Sequence, residues 1–345
     1  MIPVYIIAEA GVNHNGKLEL ARQLIDAAKA AGADAVKFQT FKTEKILTRN
    51  TSMAAYQKNN LESEDTQFEM VKALELSYED FTGLRDYAAT IGIDFLSTPD
   101  EEDSLNFLAD ELALPWIKIG SGEVTNLPFL RQIAAKQKPM ILSTGMSTLG
   151  EVERAVHIIR NGTTQELVLL HCTTNYPCPA EEVNLRAMQT LKQAFNLRVG
   201  YSDHTISSEV SVAAVALGAE IIEKHLTLDK AMIGPDHRAA LDAAEFTEMV
   251  RQIRGVEKAL GDGIKWPNPS EEKIKLLVRR RIVAAHELAA GTCLDWAHLT
   301  FKRADRGLFV EQADSIIGRC LAIALVADEP LDWNSVCDFA AQKYT

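Results

Sequence analysis

The sequence predicts an α/β protein in which a (β/α)8 barrel is followed by a small β-rich domain. Eight short apolar runs recur over the first 225 residues, and stretches with helical periodicity separate them. Nearly every run ends in polar or charged side chains. Parallel strands joined by crossover helices have this pattern. A closed barrel places its functional groups at the C-terminal ends of such strands.

Short, strongly apolar runs of this kind are typical of buried strands. The eight predicted strands are residues 4–9, 35–39, 93–97, 116–119, 140–143, 168–171, 199–204 and 221–225. Helix starts are predicted where a capping residue is followed three positions later by an acidic one, because the two side chains satisfy free backbone N–H groups. Such pairs are Ser77 with Asp80, Thr148 with Glu151, and Asp242 with Glu245.

Length and turn-forming residues divide the chain. At 345 residues it exceeds a minimal barrel of roughly 250 residues. We predict a barrel over 1–262, a glycine- and proline-containing linker over 263–282, and a small β-rich domain over 283–345. The long connection 41–65, which includes 56–60, is expected to be a lid or binding loop, with disorder as the alternative.

Charge and hydropathy exclude several classes of partner. The net charge of −12 argues against binding to nucleic acid or to an anionic membrane surface. No apolar run approaches the roughly 20 residues of a membrane span, and no basic stretch precedes an apolar one near residue 1. We therefore expect a cytoplasmic protein that binds neither nucleic acid nor membrane.

The five cysteines show no CxxC pair and no zinc-ligand spacing. We expect them to be reduced and buried. Cys172 follows His171 at a strand end, which suggests a nucleophile, but strand alternation places its side chain opposite that of His171. A structural role is therefore expected for Cys172. The five are Cys172, Cys178, Cys293, Cys320 and Cys337.

Residues two apart on a strand share a face, so several polar pairs should project together from the predicted strand ends. His204 and His225, on strands seven and eight, are suited to binding a divalent metal. Water and substrate oxygens would complete the coordination shell of that metal. Hydrogen-bond donors on strands four, five and seven suit phosphate or carboxylate oxygens. These donors are Lys118, Ser121, Ser143 and Ser202, and the pairs are Lys37 with Gln39, Ser202 with His204, and Glu223 with His225.

Motifs along the barrel resemble those of the bacterial sialic acid synthases, in the same order and at similar spacing. The matching strings are AEAGVNHNG at 8–16, VKFQT at 36–40, KIGSGE at 118–123, LSTGM at 142–146, HCT at 171–173, YP at 176–177, YSDHT at 201–205, EKH at 223–225 and GPD at 234–236. The resemblance implies a TIM barrel with a C-terminal antifreeze-like (SAF, β-clip) domain, which 285–345 resembles more weakly.

By this resemblance, the protein condenses phosphoenolpyruvate and water with an N-acetylated mannosamine-type sugar, giving N-acetylneuraminate or a close analogue and phosphate. Mn2+ or Mg2+ on His204 and His225 would polarise the sugar aldehyde. Either Glu9 or Glu223 would steer the water. The implied catalytic residues are Glu9, Lys37, Lys118, Glu123 and Glu223, and the implied substrate contacts are Gln39, Ser121, Ser143, Thr174, Tyr176, Ser202, Asp236 and Arg303.

The small domain departs from the family pattern at one point. Family members offer an arginine to the partner subunit's sugar site from an Arg-Pro-Gly-x-Gly motif, which implies a domain-swapped homodimer. Here Arg303 is followed by Ala304 and Asp305, and Arg306 adds a charge. Arg303 is the first choice for this contact and Arg306 the substitute.

Two sugars and two other protein classes stay open. N,N'-diacetyllegionaminate synthases, which use 2,4-diacetamido-2,4,6-trideoxymannose, resemble this chain as well as N-acetylneuraminate synthases do. A Schiff-base aldolase would also use a strand-end lysine such as Lys37 or Lys118, but it needs no metal. A non-catalytic sugar-binding protein would have little need for so many reactive groups at one barrel mouth.

Overall fold

A computed structural model describes residues 3–52 and 66–337. These form two compact units, 1–262 and 263–345. In the first unit, the strands are β1 Tyr5–Gly11, β2 Ala35–Thr40, β3 Asp94–Pro99, β4 Ile117–Ile119, β5 Met140–Ser143, β6 Leu167–Cys172, β7 Arg198–Asp203 and β8 Ile221–His225.

The eight strands pair in parallel, in the order β3-β2-β1-β8-β7-β6-β5-β4. The two ends of this order, β3 and β4, pack against each other, so the sheet closes. The predicted (β/α)8 barrel is confirmed. The helices of this unit are α1 Leu18–Ala30, α2 Thr43–Ile46, α3 Gln67–Leu74, α4 Tyr78–Ile91, α5 Glu102–Asn106, α6 Leu127–Ala135, α7 Leu149–Gly162, α8 Ala187–Phe195, α9 Glu209–Ala216 and α10 Ala243–Leu260.

The predicted helix starts are confirmed. Ser77, Thr148 and Asp242 each cap a helix, and in each case the acidic residue three positions later completes the capping box. Each such box is worth on the order of 1 kcal/mol. The apolar faces of the helices then cover the outer side of the sheet, forming the main core.

The barrel interior changes character along the strands. A separate apolar cluster fills its lower part, and it includes Ile7, Ala35 and Ile221. Two residues further along the same strands, on the same face, stand Glu9, Lys37 and Glu223. The barrel therefore has an apolar floor directly beneath a charged layer.

Gly200 shows how tightly this floor is packed. A Cβ atom at that position would lie 2.4 Å from the carbonyl oxygen of Ile221 and 2.6 Å from Leu170. No side chain fits there, so β7 closes against β8 without a gap. Ser202, the next inward residue of β7, then reaches the charged layer.

The second unit carries β9 Arg280–Ala284 antiparallel to β10 Leu299–Arg303, and β11 Cys320–Leu321 antiparallel to β12 Val336–Cys337. Its own core includes Ile282, Leu294, Ile316 and Leu331. The segment predicted as a linker, 263–282, contains helix α11 Pro269–Val278 and the first residues of β9. The prolines that indicated a linker include Pro269, which begins α11, as proline at a first helical position often does.

The remaining predictions concern the long connection, the cysteines, a membrane span and the cellular location. Residues 53–65 of the connection expected to be a lid, 41–65, and the last residues of the small domain, 338–345, lie outside the described residues. The expectation that all cysteines are buried is wrong for Cys293, which is exposed, and for Cys337, which is half-buried. No helix in the described ranges is long and apolar enough to cross a bilayer. The cytoplasmic location stays a prediction.

Candidate active site

The C-terminal ends of the barrel strands enclose a cavity of about 200 Å3 lined mostly by polar side chains. The structure brings together here twelve of the fifteen residues predicted for the site, and the three predicted face-sharing pairs are confirmed. The twelve are Glu9, Lys37, Gln39, Lys118, Ser121, Ser143, Thr174, Tyr176, Ser202, His204, Glu223 and His225.

Four buried charges form a chain across the cavity floor. The Nζ of Lys37 lies 2.7 Å from Oε2 of Glu9 and 3.7 Å from Oε2 of Glu223, while the Nζ of Lys118 lies 3.3 Å from Oε1 of Glu223. All four side chains are at most 7% exposed. Removing one partner of such a network typically costs about 3–5 kcal/mol, because a buried charge is left uncompensated.

Hydroxyl groups complete this network. Ser202 Oγ donates to Glu223 Oε1 at 2.9 Å, and Lys118 Nζ donates to Ser143 Oγ at 2.8 Å. Lys37 also donates to Thr98 Oγ1 at 3.2 Å. The two ammonium groups are thus held by neighbouring strands, facing the cavity, where an anion would find fixed donors.

The two carboxyl groups have different proton affinities. Burial favours the protonated form of Glu223, but Lys118 and Lys37 outweigh it and lower the pKa of Glu223 to about 2. Burial raises the pKa of Glu9 above its ordinary value. The ion pair with Lys37 lowers this pKa, but the nearby negative charge of Glu223 raises it further. Glu223 therefore stays ionised, whereas Glu9 is the better proton carrier.

Three aromatic rings cluster at one side of the cavity. The ring centroids of His204 and His225 are 5.6 Å apart, and Tyr176 packs 4.1 Å from His204. His204 Nδ1 lies 2.6 Å from the carbonyl oxygen of Thr173, so Nδ1 carries the proton and Nε2 keeps its lone pair. Burial lowers the pKa of His204 to about 4 and that of His225 well below its usual range. Both rings are therefore neutral near pH 7.

These rings fit a divalent metal held by few protein ligands. His225 Nδ1 is buried without a hydrogen-bond partner, and neutral imidazole is the form that binds metals. Within 3–52 and 66–337 there is no group of three or more His, Cys, Asp or Glu residues arranged to hold a metal. Among the described residues at this cavity, the two imidazoles are the candidate nitrogen donors.

A second cavity of about 270 Å3 adjoins the first and shares Tyr176 and His225 with it. Asp236 lies here, and burial raises the pKa of its carboxyl group to about 7. The opposite wall is apolar. Its residues are Val12, Phe41, Ile46, Met70, Val71 and Leu74, contributed by the β1–α1 and β2–α2 connections, α2 and α3.

Two predicted site residues lie elsewhere. Glu123 is in the short 3-10 helix after β4, where it accepts a hydrogen bond from Asn126 Nδ2 at 2.6 Å, and it does not line the cavity. The cause is the helical turn after Ser121, which ends the strand alternation. Arg303 is the last residue of β10 in the second unit and is exposed.

The residues that line the cavity but were not predicted for the site include Thr98, Asp100 and Cys172. Strand β3 continues to Pro99, so strand alternation over a longer run would have indicated Thr98 and Asp100. The side chains of Cys172 and His171 point to opposite faces of the strand, as predicted, but it is Cys172 that faces the cavity. Its Sγ is 3.1 Å from Ser121 Oγ, while His171 bonds the Val183 carbonyl.

Comparisons with known proteins agree with this arrangement. The NeuB family profile matches residues 24–265, and the SAF domain profile matches 279–336. The chain is 46% identical to an N,N'-diacetyllegionaminic acid synthase of Legionella pneumophila, covering 96% of this chain and 94% of that protein. It is 48% identical to the protein of the same name in Campylobacter jejuni, covering 91% and 94%.

A solved structure is also similar. The N-acetylneuraminic acid (sialic acid) synthetase of Leptospira borgpetersenii, crystallised in complex with citrate, has 34% identity and a TM-score of 0.69. The match covers 79% of this chain and 90% of that one. The family resemblance found in the motifs is confirmed. The chain belongs to the NeuB family and carries a SAF domain after its barrel.

Proposed function

We propose that this protein is a nonulosonic acid synthase, a transferase that condenses phosphoenolpyruvate and water with an N-acetylated mannosamine-type sugar and releases phosphate. One observation carries the proposal. Two buried lysines and a row of hydroxyl groups stand beside two neutral imidazoles, with a mixed polar and apolar cavity next to them. The names of the relatives at 46% and 48% identity support it.

The anionic substrate belongs on the lysine side. Lys118, Ser143 and Ser121 present donors from β4, β5 and the turn after β4. Gly145 keeps this region open, because a Cβ there would lie 2.9 Å from Ser121 Oγ and 2.2 Å from Thr174 Oγ1. Charge-assisted hydrogen bonds from such groups would hold the phosphate and carboxylate of phosphoenolpyruvate.

Glu9 is the carboxyl group assigned to proton transfer. The enol carbon of phosphoenolpyruvate forms a bond to the aldehyde carbon of the open-chain sugar, and the aldehyde oxygen takes up a proton. Water then adds at the carbon that bears the phosphate and loses one proton. The carbon–oxygen bond to phosphate breaks as the new hydroxyl group becomes the ketone, and the second proton leaves with the phosphate. The raised pKa of Glu9 suits this exchange, whereas ionised Glu223 stabilises developing positive charge.

His204 and His225 are the proposed ligands of Mn2+ or Mg2+. When bound, a divalent ion supplies Lewis acidity that polarises a carbonyl oxygen. The hydrogen bond from His204 Nδ1 to Thr173 orients that ring. Packing of Tyr176 against His204 limits its rotation further.

The apolar wall favours one of the two candidate sugars. The 2,4-diacetamido-2,4,6-trideoxy sugar bears a methyl group in place of a hydroxymethyl group, and a second acetamido methyl. These groups would gain roughly 0.8 kcal/mol per buried methyl or methylene from contact with Phe41, Met70 and Leu74, which line the cavity. The extra hydroxyl groups of N-acetylmannosamine would lose water there without partners.

Arg303 is proposed to complete the sugar site of a partner subunit in a homodimer. Equimolar mixing of Glu9→Gln and Arg303→Ala proteins tests this. If subunits exchange and sites form across the dimer, mixed dimers carry one intact site, and about a quarter of wild-type activity returns. Activity that stays at the level of the two separate variants would contradict the shared site.

The first experiment follows phosphate release from phosphoenolpyruvate with Mn2+ and each sugar in turn, with and without EDTA. We expect release with the diacetamido sugar, abolished by EDTA and restored by excess Mn2+. Preference for N-acetylmannosamine would overturn the sugar assignment but keep the synthase. An EDTA-resistant reaction, with a borohydride-trapped adduct on Lys37 or Lys118, would identify the aldolase alternative.

Glu9→Gln tests the proton carrier. We expect phosphate release to fall about 100- to 10,000-fold, as for loss of a general acid–base group, while phosphoenolpyruvate binding measured by calorimetry persists. Glu19→Gln, at an exposed position in α1, is the matched control and should keep full activity. Equal losses in both variants would contradict the role of Glu9.

A further inference from the structure

Three of the five cysteines lie side by side in the second unit, although they are distant in sequence. Cys320 of β11 is directly opposite Cys337 of β12, and Cys293 is opposite Cys320 in an isolated antiparallel bridge. Opposite residues of antiparallel strands project from the same face. The three side chains therefore form a row with Cys320 in the middle.

The backbone spacing suits a covalent bond between two of them. Leu294 N donates to Arg319 O at 2.8 Å and Leu321 N donates to Thr292 O at 2.9 Å, so Cys293 and Cys320 form the non-hydrogen-bonded pair of the ladder. Such pairs have Cα atoms about 4.5 Å apart, which is inside the range of roughly 4.4–6.8 Å that disulfides require.

The three thiols differ in access. Cys293 is exposed, Cys337 is half-buried and Cys320 is buried. A hydrogen bond with Cys293, together with burial, raises the pKa of Cys320 to about 11. An incoming reagent therefore meets Cys293 first, with Cys320 directly beside it.

We propose that Cys293 and Cys320 form a thiol–disulfide exchange site for low-molecular-weight disulfides, with Cys337 as a second partner for Cys320. The Cys293 thiolate attacks a small disulfide, forms a mixed disulfide and releases one small thiol. Cys320 then loses its proton, attacks the Cys293 sulfur and releases the second small thiol. Two electrons pass to the small disulfide, and the protons end on its two thiols.

The arrangement favours oxidation over metal binding. Among the residues that the structure describes, no three His, Cys, Asp or Glu side chains are grouped to hold a metal. A bond between Cys293 and Cys320 would instead join two distant segments of the small domain. Cross-links of this kind restrict the unfolded chain, so the oxidised domain should resist unfolding more than the reduced one.

The test uses the full-length reduced protein in buffers with increasing ratios of oxidised to reduced glutathione. We expect two thiols per chain to disappear together, and non-reducing peptide mapping to find Cys293 linked to Cys320, with a smaller amount of Cys320 linked to Cys337. Cys172 and Cys178, buried in the barrel, should stay reduced. Heating should show a higher unfolding midpoint for the oxidised form.

Variants separate the three thiols. Cys293→Ser should slow thiol loss at least about tenfold, Cys337→Ser should leave the Cys293–Cys320 link intact, and Cys178→Ser should change nothing. A lasting glutathione adduct on Cys293 without an internal disulfide would overturn the proposal, as would equal thiol loss in Cys320→Ser. The peptide map of the wild-type protein decides the question even if Cys320→Ser misfolds.

Discussion

The barrel mouth and the small domain both carry basic side chains that the family resemblance assigns to the substrate, but they hold them differently. Lys37 and Lys118 are buried and neutralised by carboxylates on other strands of the barrel. Arg303 and Arg306 are exposed, and Arg306 approaches Glu329 at 3.9 Å. A group fixed by strand register can be placed from sequence, whereas the contacts of an exposed side chain cannot.

The largest expected effect comes from breaking the buried network. Lys37→Met leaves Glu9 and Glu223 close together without their shared cation, so the free energy of unfolding should fall by about 3–5 kcal/mol. Phosphate release should fall at least about 100-fold. Urea denaturation and the phosphate assay measure both, with Lys258→Met, at an exposed position in α10, as the control. Unchanged stability would show that the network is solvated.

A second, fully buried ion pair joins the residues that immediately precede His204 and His225. Lys224 Nζ is 3.0 Å from Asp203 Oδ2 and donates to the Ser207 carbonyl at 3.0 Å. Lys224→Met should cost about 3 kcal/mol and should raise the Mn2+ concentration needed for half-maximal activity, because the loop after His204 loses its anchor. Loss of stability with an unchanged Mn2+ requirement would mean that the pair supports the fold alone.

Asp100 offers a smaller effect with a defined pH dependence. Burial and the charge of Glu123 raise its pKa from 3.8 to about 7, so the folded protein binds a proton that the unfolded chain releases. The stability from this group is present at low pH and is lost as pH rises from about 4 to about 7. Asp100 is partly exposed, and solvent weakens the effect. We therefore expect Asp100→Asn to reduce the loss in free energy of unfolding between pH 4 and 7 by about 1–2 kcal/mol, measured by thermal unfolding across that range.

Asp26→Asn, at an exposed carboxyl that accepts a hydrogen bond from Tyr87, is the control for this pH series. It should keep the wild-type slope between pH 4 and 7. An Asp100→Asn slope that also matches wild type would show that Asp100 titrates like an ordinary carboxyl.

The smallest effect on stability is expected in the small domain. Arg303→Ala and Arg306→Ala should each change the free energy of unfolding by less than about 0.5 kcal/mol. If Arg303 makes the sugar contact, its variant alone should raise KM for the sugar while KM for phosphoenolpyruvate stays constant. A larger rise in KM for the sugar with Arg306→Ala would assign the sugar contact to Arg306 instead.

The site was predictable where one strand carried two reactive residues in alternation. Lys37 with Gln39 and Glu223 with His225 project together because the period of a strand is two. Glu123 does not line the cavity, because a helical turn begins at Ser121. The clustering of three cysteines was invisible in sequence, since no local spacing indicates which short strands will pair.

The sequence by itself determined the barrel, the helix starts and most of the polar strand ends, because periodicity and capping act over a few neighbouring residues. Only the tertiary structure decided which of two carboxyl groups has its pKa raised and which has it lowered. Glu9 and Glu223 look alike in sequence, and both are buried. Glu223 approaches two ammonium groups and Ser202, while Glu9 approaches one ammonium group and Gln39. Coulomb interactions in a poorly solvated space depend on these distances, and closure of the barrel sets them.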